Sequence, residues 1–180
     1  MTCWFNKDSE PASLTVFAKN NGAGAREVEL LVGDAGSNIA GVNVWVGASR
    51  TGINTPATIT NGSWFHIVLS FDSPSHILSL YLNNAAPITA DVGGAAIDNS
   101  ATANFSIGAR MNTPADFFSG RIDQVGKRSG ITTAAEVAQL YNNGNGLSWA
   151  AMQASAVVPA NYQRFPKPAM ASPIAAGRLL

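Results

Sequence analysis

The sequence predicts an all-β fold in which two antiparallel sheets face each other, with one short helix near the C-terminal end. Three observations predict it. Short stretches of alternating apolar and polar residues recur across residues 2–125 with turn-forming residues between them, the pattern of half-buried strands. One stretch, residues 133–141, switches to helical spacing. A chain of 180 residues, 46% of them hydrophobic, is long enough to bury one substantial core.

Residues 2–6 and 13–19 read as strands, separated by the turn-prone Asp8-Ser9-Glu10-Pro11. Asn20-Asn21-Gly22-Ala23-Gly24 is a loop signal. Residues 27–32 alternate Glu27 and Glu29 with Val28 and Leu30, a half-buried strand with a wet outer face. Val42, Val44 and Val46 share one side of the next strand; Asn43, Trp45 and Gly47 share the other. Residues 64–72 give the clearest strand. Phe65, Ile67, Leu69 and Phe71 form one continuous apolar stripe, while Trp64, His66, Val68 and Ser70 form a second face that reads as partly covered. Burying the four stripe residues contributes on the order of 6–12 kcal/mol before entropy is subtracted. Ser73-Pro74-Ser75 turns the chain into residues 76–82, where His76, Leu78, Leu80 and Leu82 share a face. Asn83-Asn84 suits a tight hairpin, because asparagine tolerates positive φ. Residues 86–92, 105–109 and 118–125 complete the strands.

The helix is marked by Thr133 and Glu136, spaced as a capping box, with Val137, Leu140 and Tyr141 on one side. Gly144 suits the left-handed residue that ends it. The sandwich is thus expected over residues 1–146. Residues 147–180 shift to alanine and proline and read as an extended arm. Its apolar Tyr162, Phe165, Met170, Ile174, Leu179 and Leu180 suit a partner surface.

Five segments in this order carry a resemblance. They are Trp64-Phe65-His66-Ile67-Val68, Leu80-Tyr81-Leu82-Asn83-Asn84, the Ile107-Gly108 strand, Gly120-Arg121-Ile122-Asp123-Gln124-Val125, and the capped helix ending in Tyr141-Asn142. The chain resembles the laminin G-like branch of the concanavalin A-like lectin/glucanase superfamily, mainly over residues 64–144. The resemblance implies a two-sheet antiparallel jelly roll with its helix against the sandwich. Asn84 and Gln124 depart from the family's usual glycine and glutamate. The chain also starts at what resembles the family's second core strand, so the resemblance implies an open edge that another segment or a neighbour must fill.

Composition excludes some classes. Charged residues make up 12% of the chain, against about 25% in ordinary soluble domains, and the formal net charge is zero. Lys127-Arg128 is the one adjacent basic pair, so the footprint of nucleic-acid binding is missing. No stretch approaches the roughly 20 apolar residues of a membrane span, and residues 1–4 do not begin a secretory leader. The single cysteine, Cys3, reads as a small buried hydrophobe.

The glucanases of the resembled superfamily carry a Glu-x-Asp-x-x-Glu strand that is absent here. Glu27 and Glu29 offer the nearest spacing, with no sign of the facing carboxylates that glycoside hydrolysis needs. His66 and His76 lack a poised nucleophile. Calcium is the cofactor the resemblance implies, with Asp123 at the matching position. Asp123 otherwise caps the neighbouring turn or pairs with Arg121 or Arg110, and Asn112 and Asp116 are alternative oxygen donors. For a glycan, Trp45 beside Asn43 offers ring stacking and an amide; the other reading is a tryptophan that covers the sheet's outer face or a subunit contact. Trp149 lies near the arm. These features predict a non-enzymatic structural or adhesive module within a homo-oligomer or larger assembly, such as a bacteriophage decoration or fibre subunit. The alternative is a carbohydrate-binding module, calcium-dependent or not, of a secreted or surface protein. The expected location is a virion, the extracellular space or a cell surface.

Overall fold

The computed structural model describes residues 1–8, 14–20, 26–33, 38–46, 49–94, 96–98, 102–110, 116–148, 150–151 and 163–164. Ten strands precede the helix: β1 (Thr2–Lys7), β2 (Leu14–Asn20), β3 (Arg26–Val32), β4 (Ala40–Val46), β5 (Ser49–Asn54), β6 (Phe65–Asp72), β7 (Ile77–Leu82), β8 (Ile88–Asp91), β9 (Phe105–Ile107) and β10 (Gly120–Lys127). The helix α1 (Ala134–Tyr141) and a two-residue strand β11 (Gln163–Arg164) follow. One sheet runs β11-β10-β1-β6-β7-β8, the other β5-β4-β3-β2-β9, and every pairing is antiparallel.

The core lies between the sheets. Phe65, Ile67 and Leu69 meet Leu78, Leu80 and Leu82 from one sheet and Val16, Leu30, Val42 and Val44 from the other. Phe71, the fourth residue of the stripe, packs at its margin. Cys3 and Phe5 join the core, and burial pushes the Cys3 thiol up, so it behaves as a packed hydrophobe. Asn83 and Asn84 both take positive φ, as the hairpin between β7 and β8 requires.

Four features differ from the sequence reading. The second face of this stretch is covered further than the alternation suggests: His66, Val68 and Ser70 are buried, while Trp64, just before β6, is 43% exposed. Val68 and Tyr81 pack against Val137 and Leu140, so α1 seals this face. The helix ends at Asn142, whose left-handed backbone caps it two residues before Gly144. β5 was not legible, because Ser-Arg-Thr-Gly-Ile-Asn turns one apolar side chain, Ile53, toward the core. Finally, residues 163–164 of the expected arm pair with β10, Gly126 opposite Arg164 and Lys127 opposite Gln163. These two residues form the β10 edge of the six-strand sheet. The arm's Tyr162, Phe165, Met170, Ile174, Leu179 and Leu180 lie outside the described residues.

The capping box forms as predicted. The Thr133 hydroxyl accepts from the Glu136 amide at 3.3 Å, and the Glu136 carboxylate accepts from the Thr133 amide at 2.7 Å. Burial alone raises the Glu136 pKa, but the bonds from Thr133 and the Arg128 guanidinium outweigh it and hold the carboxyl below its usual range.

Candidate functional site

Strand alternation divides β4 cleanly. Val42 and Val44 enter the core, so Gly41, Asn43 and Trp45 face outward. Register with β5 places Gly41 opposite Asn54, Asn43 opposite Gly52, and Trp45 opposite Arg50. Each amide lies across a glycine. A Cβ on Gly52 would stand 2.8 Å from the Asn43 Oδ1, and one on Gly41 would stand 2.6 Å from the Asn54 Oδ1. The two missing side chains make the room in which the amides rest. Among the described residues, neither amide has a hydrogen-bond partner. Asn54 is exposed and offers a carbonyl and an NH₂ group to solvent, while Asn43 is buried, with 9% of its surface exposed.

Trp45 is no open platform. Its ring is 6% exposed, with the Arg26 guanidinium 5.7 Å from its centroid. The expectation of a bare indole for ring stacking is corrected accordingly: the ring holds Arg26, and Arg50 lies across the ladder from it. Arg26, Arg50, Gly52 and Asn54 are exposed, so the β4–β5 side of this face is accessible.

Toward β3 the face closes. Glu29, opposite Asn43, is 3% exposed. It accepts a bond from the Asn20 amide, and the Arg110 guanidinium lies 3.9 Å away while also gripping Asp116. Lys19 pairs with Glu27 at 2.5 Å. Glu29 was expected on a wet face, but a buried carboxylate needs partners, and β2 and the segment after β9 bring them. Sequence spacing could not show that Asn20 and Arg110 converge there.

Asp123 sits elsewhere, on β10 in the other sheet, opposite Trp4. Its Oδ1 accepts from the Gln124 amide at 2.7 Å, within β10 itself. Arg121 approaches Asp8 at 3.8 Å, and Arg110 engages Asp116 and Glu29. Calcium takes six to eight oxygens. Among the described residues no three His, Cys, Asp or Glu side chains gather, and the residues beside Asp123 supply no second carboxylate. Among the described residues, the donor set at Asp123 does not fit calcium. Asn112 and Trp149 lie outside the described residues.

His66 is held on the helix-covered face, its Nε2 2.7 Å from the Thr2 hydroxyl. Its ring lies against both Trp4 (4.9 Å) and Tyr141 (6.0 Å), which also contact each other at 5.7 Å. Burial lowers its pKa to about 4, so the imidazole is neutral at physiological pH. His66 serves the packing of α1 against the sheet. No helix among the described residues is long and apolar enough to cross a membrane.

The comparisons agree with this architecture. A laminin G family model described as concanavalin A-like lectin/glucanases superfamily matches residues 1–138. No curated protein matches the sequence. Among solved structures, a candidate carbohydrate binding protein from Bacteroides ovatus is similar at 19% identity and TM-score 0.62; the match covers 76% of this chain and 38% of that one. The chain thus spans well under half of that protein's length. The CBM40 of a Ruminococcus gnavus sialidase, solved with α2,3-sialyllactose, is similar at 16% identity and TM-score 0.57, covering 75% and 77% of the two chains. A heptameric SAP-like pentraxin from Limulus polyphemus is similar at 14% identity and TM-score 0.60, covering 81% and 70%. At these identities the structures speak for the fold, and the family match gives membership. The chain belongs to the concanavalin A-like lectin/glucanases superfamily.

Proposed function

We propose that the chain is a non-catalytic carbohydrate-binding module that reads a hydroxyl-rich glycan along the β4–β5 strip. One observation carries the reading: the Asn43 and Asn54 amides lie across from Gly52 and Gly41 on the outer face of the β4–β5 pair, without protein partners among the described residues. An amide can donate to one hydroxyl and accept from another, so the pair suits vicinal hydroxyls. Arg26, braced on Trp45, and Arg50 add charged donors at one end of the strip. Trp45 positions Arg26 in this reading and does not itself stack on the sugar. The similar structures named for carbohydrate or sialyllactose binding support the same class.

A glycan array probed with the purified chain, with and without calcium, tests this. Binding to at least one glycan is expected, unchanged by chelator and lost in the Asn43→Ala/Asn54→Ala double variant. A blank array, or binding untouched by the double variant, removes the reading.

A second reading is a subunit of a homo-oligomer or larger assembly, such as a bacteriophage virion decoration or fibre component. The 12% charged content favours it, as do the exposed Ile107 and Phe117 beside β9, an edge strand of the five-strand sheet. On this reading, residues 147–180 form the assembly arm. Sedimentation that shifts with protein concentration supports it, and a monomer at every concentration contradicts it.

A further inference from the structure

The two sheets part at one end of the sandwich and leave a cavity that continues the core. It holds about 250 Å³. Val28 and Val44 line it from the five-strand sheet, Leu69, Phe71 and Leu78 from the six-strand sheet, and Ile97 from the segment between β8 and β9. All six also pack in or against the core. We infer that this cavity binds a small carboxylic acid with an apolar body, its carboxylate held by Lys127.

Strand alternation brings the lysine there. Val125 enters the core, so Lys127, two residues further along β10, falls on the same inward side. An inward position normally carries an apolar residue. A lysine there lays its stem along the wall and keeps its ammonium at the mouth, where Lys127 is exposed. Met1 also lines the cavity: its amino group donates to the Leu69 carbonyl at 2.7 Å, and the Leu69 amide donates to the Met1 carbonyl at 2.8 Å. The other charges at the mouth are engaged. Lys19 takes Glu27 at 2.5 Å, Glu136 holds Arg128, and Asp98 is tied down, its amide on the Trp45 carbonyl at 2.8 Å. The Lys127 side chain has no hydrogen-bond or ion-pair partner among the described residues.

Wall and charge together define the ligand. Six apolar side chains offer an ordered water too few of the two to four polar partners it needs, and they offer the same poor match to a hydroxyl-rich sugar. Hydrocarbon fits them. An ammonium with no counter-ion at the mouth selects an anion, and its bonds to a carboxylate are charge-assisted. The volume sets the size. It lies just under the roughly 300–1,000 Å³ of sites for drug-sized ligands, room for a short aliphatic chain or a single ring.

The test titrates octanoate, octanol and octylamine into the full chain by calorimetry, with the valine and leucine methyl signals followed by NMR. Octanoate is expected to saturate and to move the methyls of Val28, Val44, Leu69 and Leu78. Octanol should bind about tenfold more weakly, the loss expected for one charge-assisted bond, and octylamine more weakly still. Lys127→Met, at an exposed position and with the stem kept, brings octanoate down to the level of octanol. Lys127→Glu reverses the order, so that octylamine binds ahead of octanoate. If octanoate shows no saturable binding, if its affinity is unchanged in Lys127→Met, or if the four sets of methyl signals stay in place, the inference is overturned. Asn43 and Asn54 lie on the outer face, so the fate of the β4–β5 strip does not enter this outcome.

Discussion

The two outer faces of this sandwich are built from the same alternating strands and end differently. On the six-strand sheet, the outward residues of β6 and β7 include Val68 and Tyr81, and α1 covers them with Val137 and Leu140. Trp4, His66 and Tyr141 extend that cover as a continuous ring stack. On the five-strand sheet, the outward residues of β4 and β5 are Gly41, Asn43, Trp45, Arg50, Gly52 and Asn54. Of these, Arg50, Gly52 and Asn54 are exposed, and no helix covers them as α1 covers β6 and β7. A sandwich needs one apolar face per sheet; what the second face carries decides whether it is sealed or presented.

Substitution in the seal sharpens this contrast most. Leu140→Ala removes a buried side chain beneath the helix and should cost about 2–5 kcal/mol, read as a drop in urea midpoint. Asn54→Ala, on the presented face, should change stability by less than about 0.5 kcal/mol. Comparable effects from the two would erase the distinction.

Acid should loosen the sealed face next. In the unfolded chain the imidazole of His66 takes its proton near pH 6.5, and burial in the fold delays this to about 4. Between these values the unfolded chain binds a proton that the folded chain excludes. Stability present above pH 6.5 therefore falls by about 3 kcal/mol as pH drops toward 4. Denaturation curves across this range should flatten in His66→Gln; an identical slope in that variant would assign the loss elsewhere.

A smaller effect is expected at the helix entrance. Thr133→Ala removes the hydroxyl half of the capping box and leaves the backbone amide that donates to Glu136; it should cost about 1 kcal/mol, measured the same way. On the presented face, Asn43→Ala should weaken glycan binding about tenfold, close to 1.4 kcal/mol, by calorimetry with a glycan that the array identifies. An unchanged affinity would move the contact away from β4.

Much of the fold was legible because its signals are local. The apolar stripe of β6, the paired asparagines of the hairpin and the Thr133–Glu136 spacing each act within a few residues. The candidate site was legible in part: Asn43 and Trp45 were picked out as outward residues. The burial of Trp45 was not, because Arg26 reaches its ring from a neighbouring strand. Glu29 misled for the same reason, since Asn20 and Arg110 are distant in sequence and meet it only after folding. Gly146 packs against Gln124 and Trp4, an approach that no spacing rule encodes.

The most direct test of the presented face follows the side-chain NH₂ signals of Asn43 and Asn54 by NMR as a glycan selected on the array is titrated into the chain. The account predicts that both amide signals move together and saturate at a common dissociation constant. Saturable binding that leaves both signals in place would contradict it.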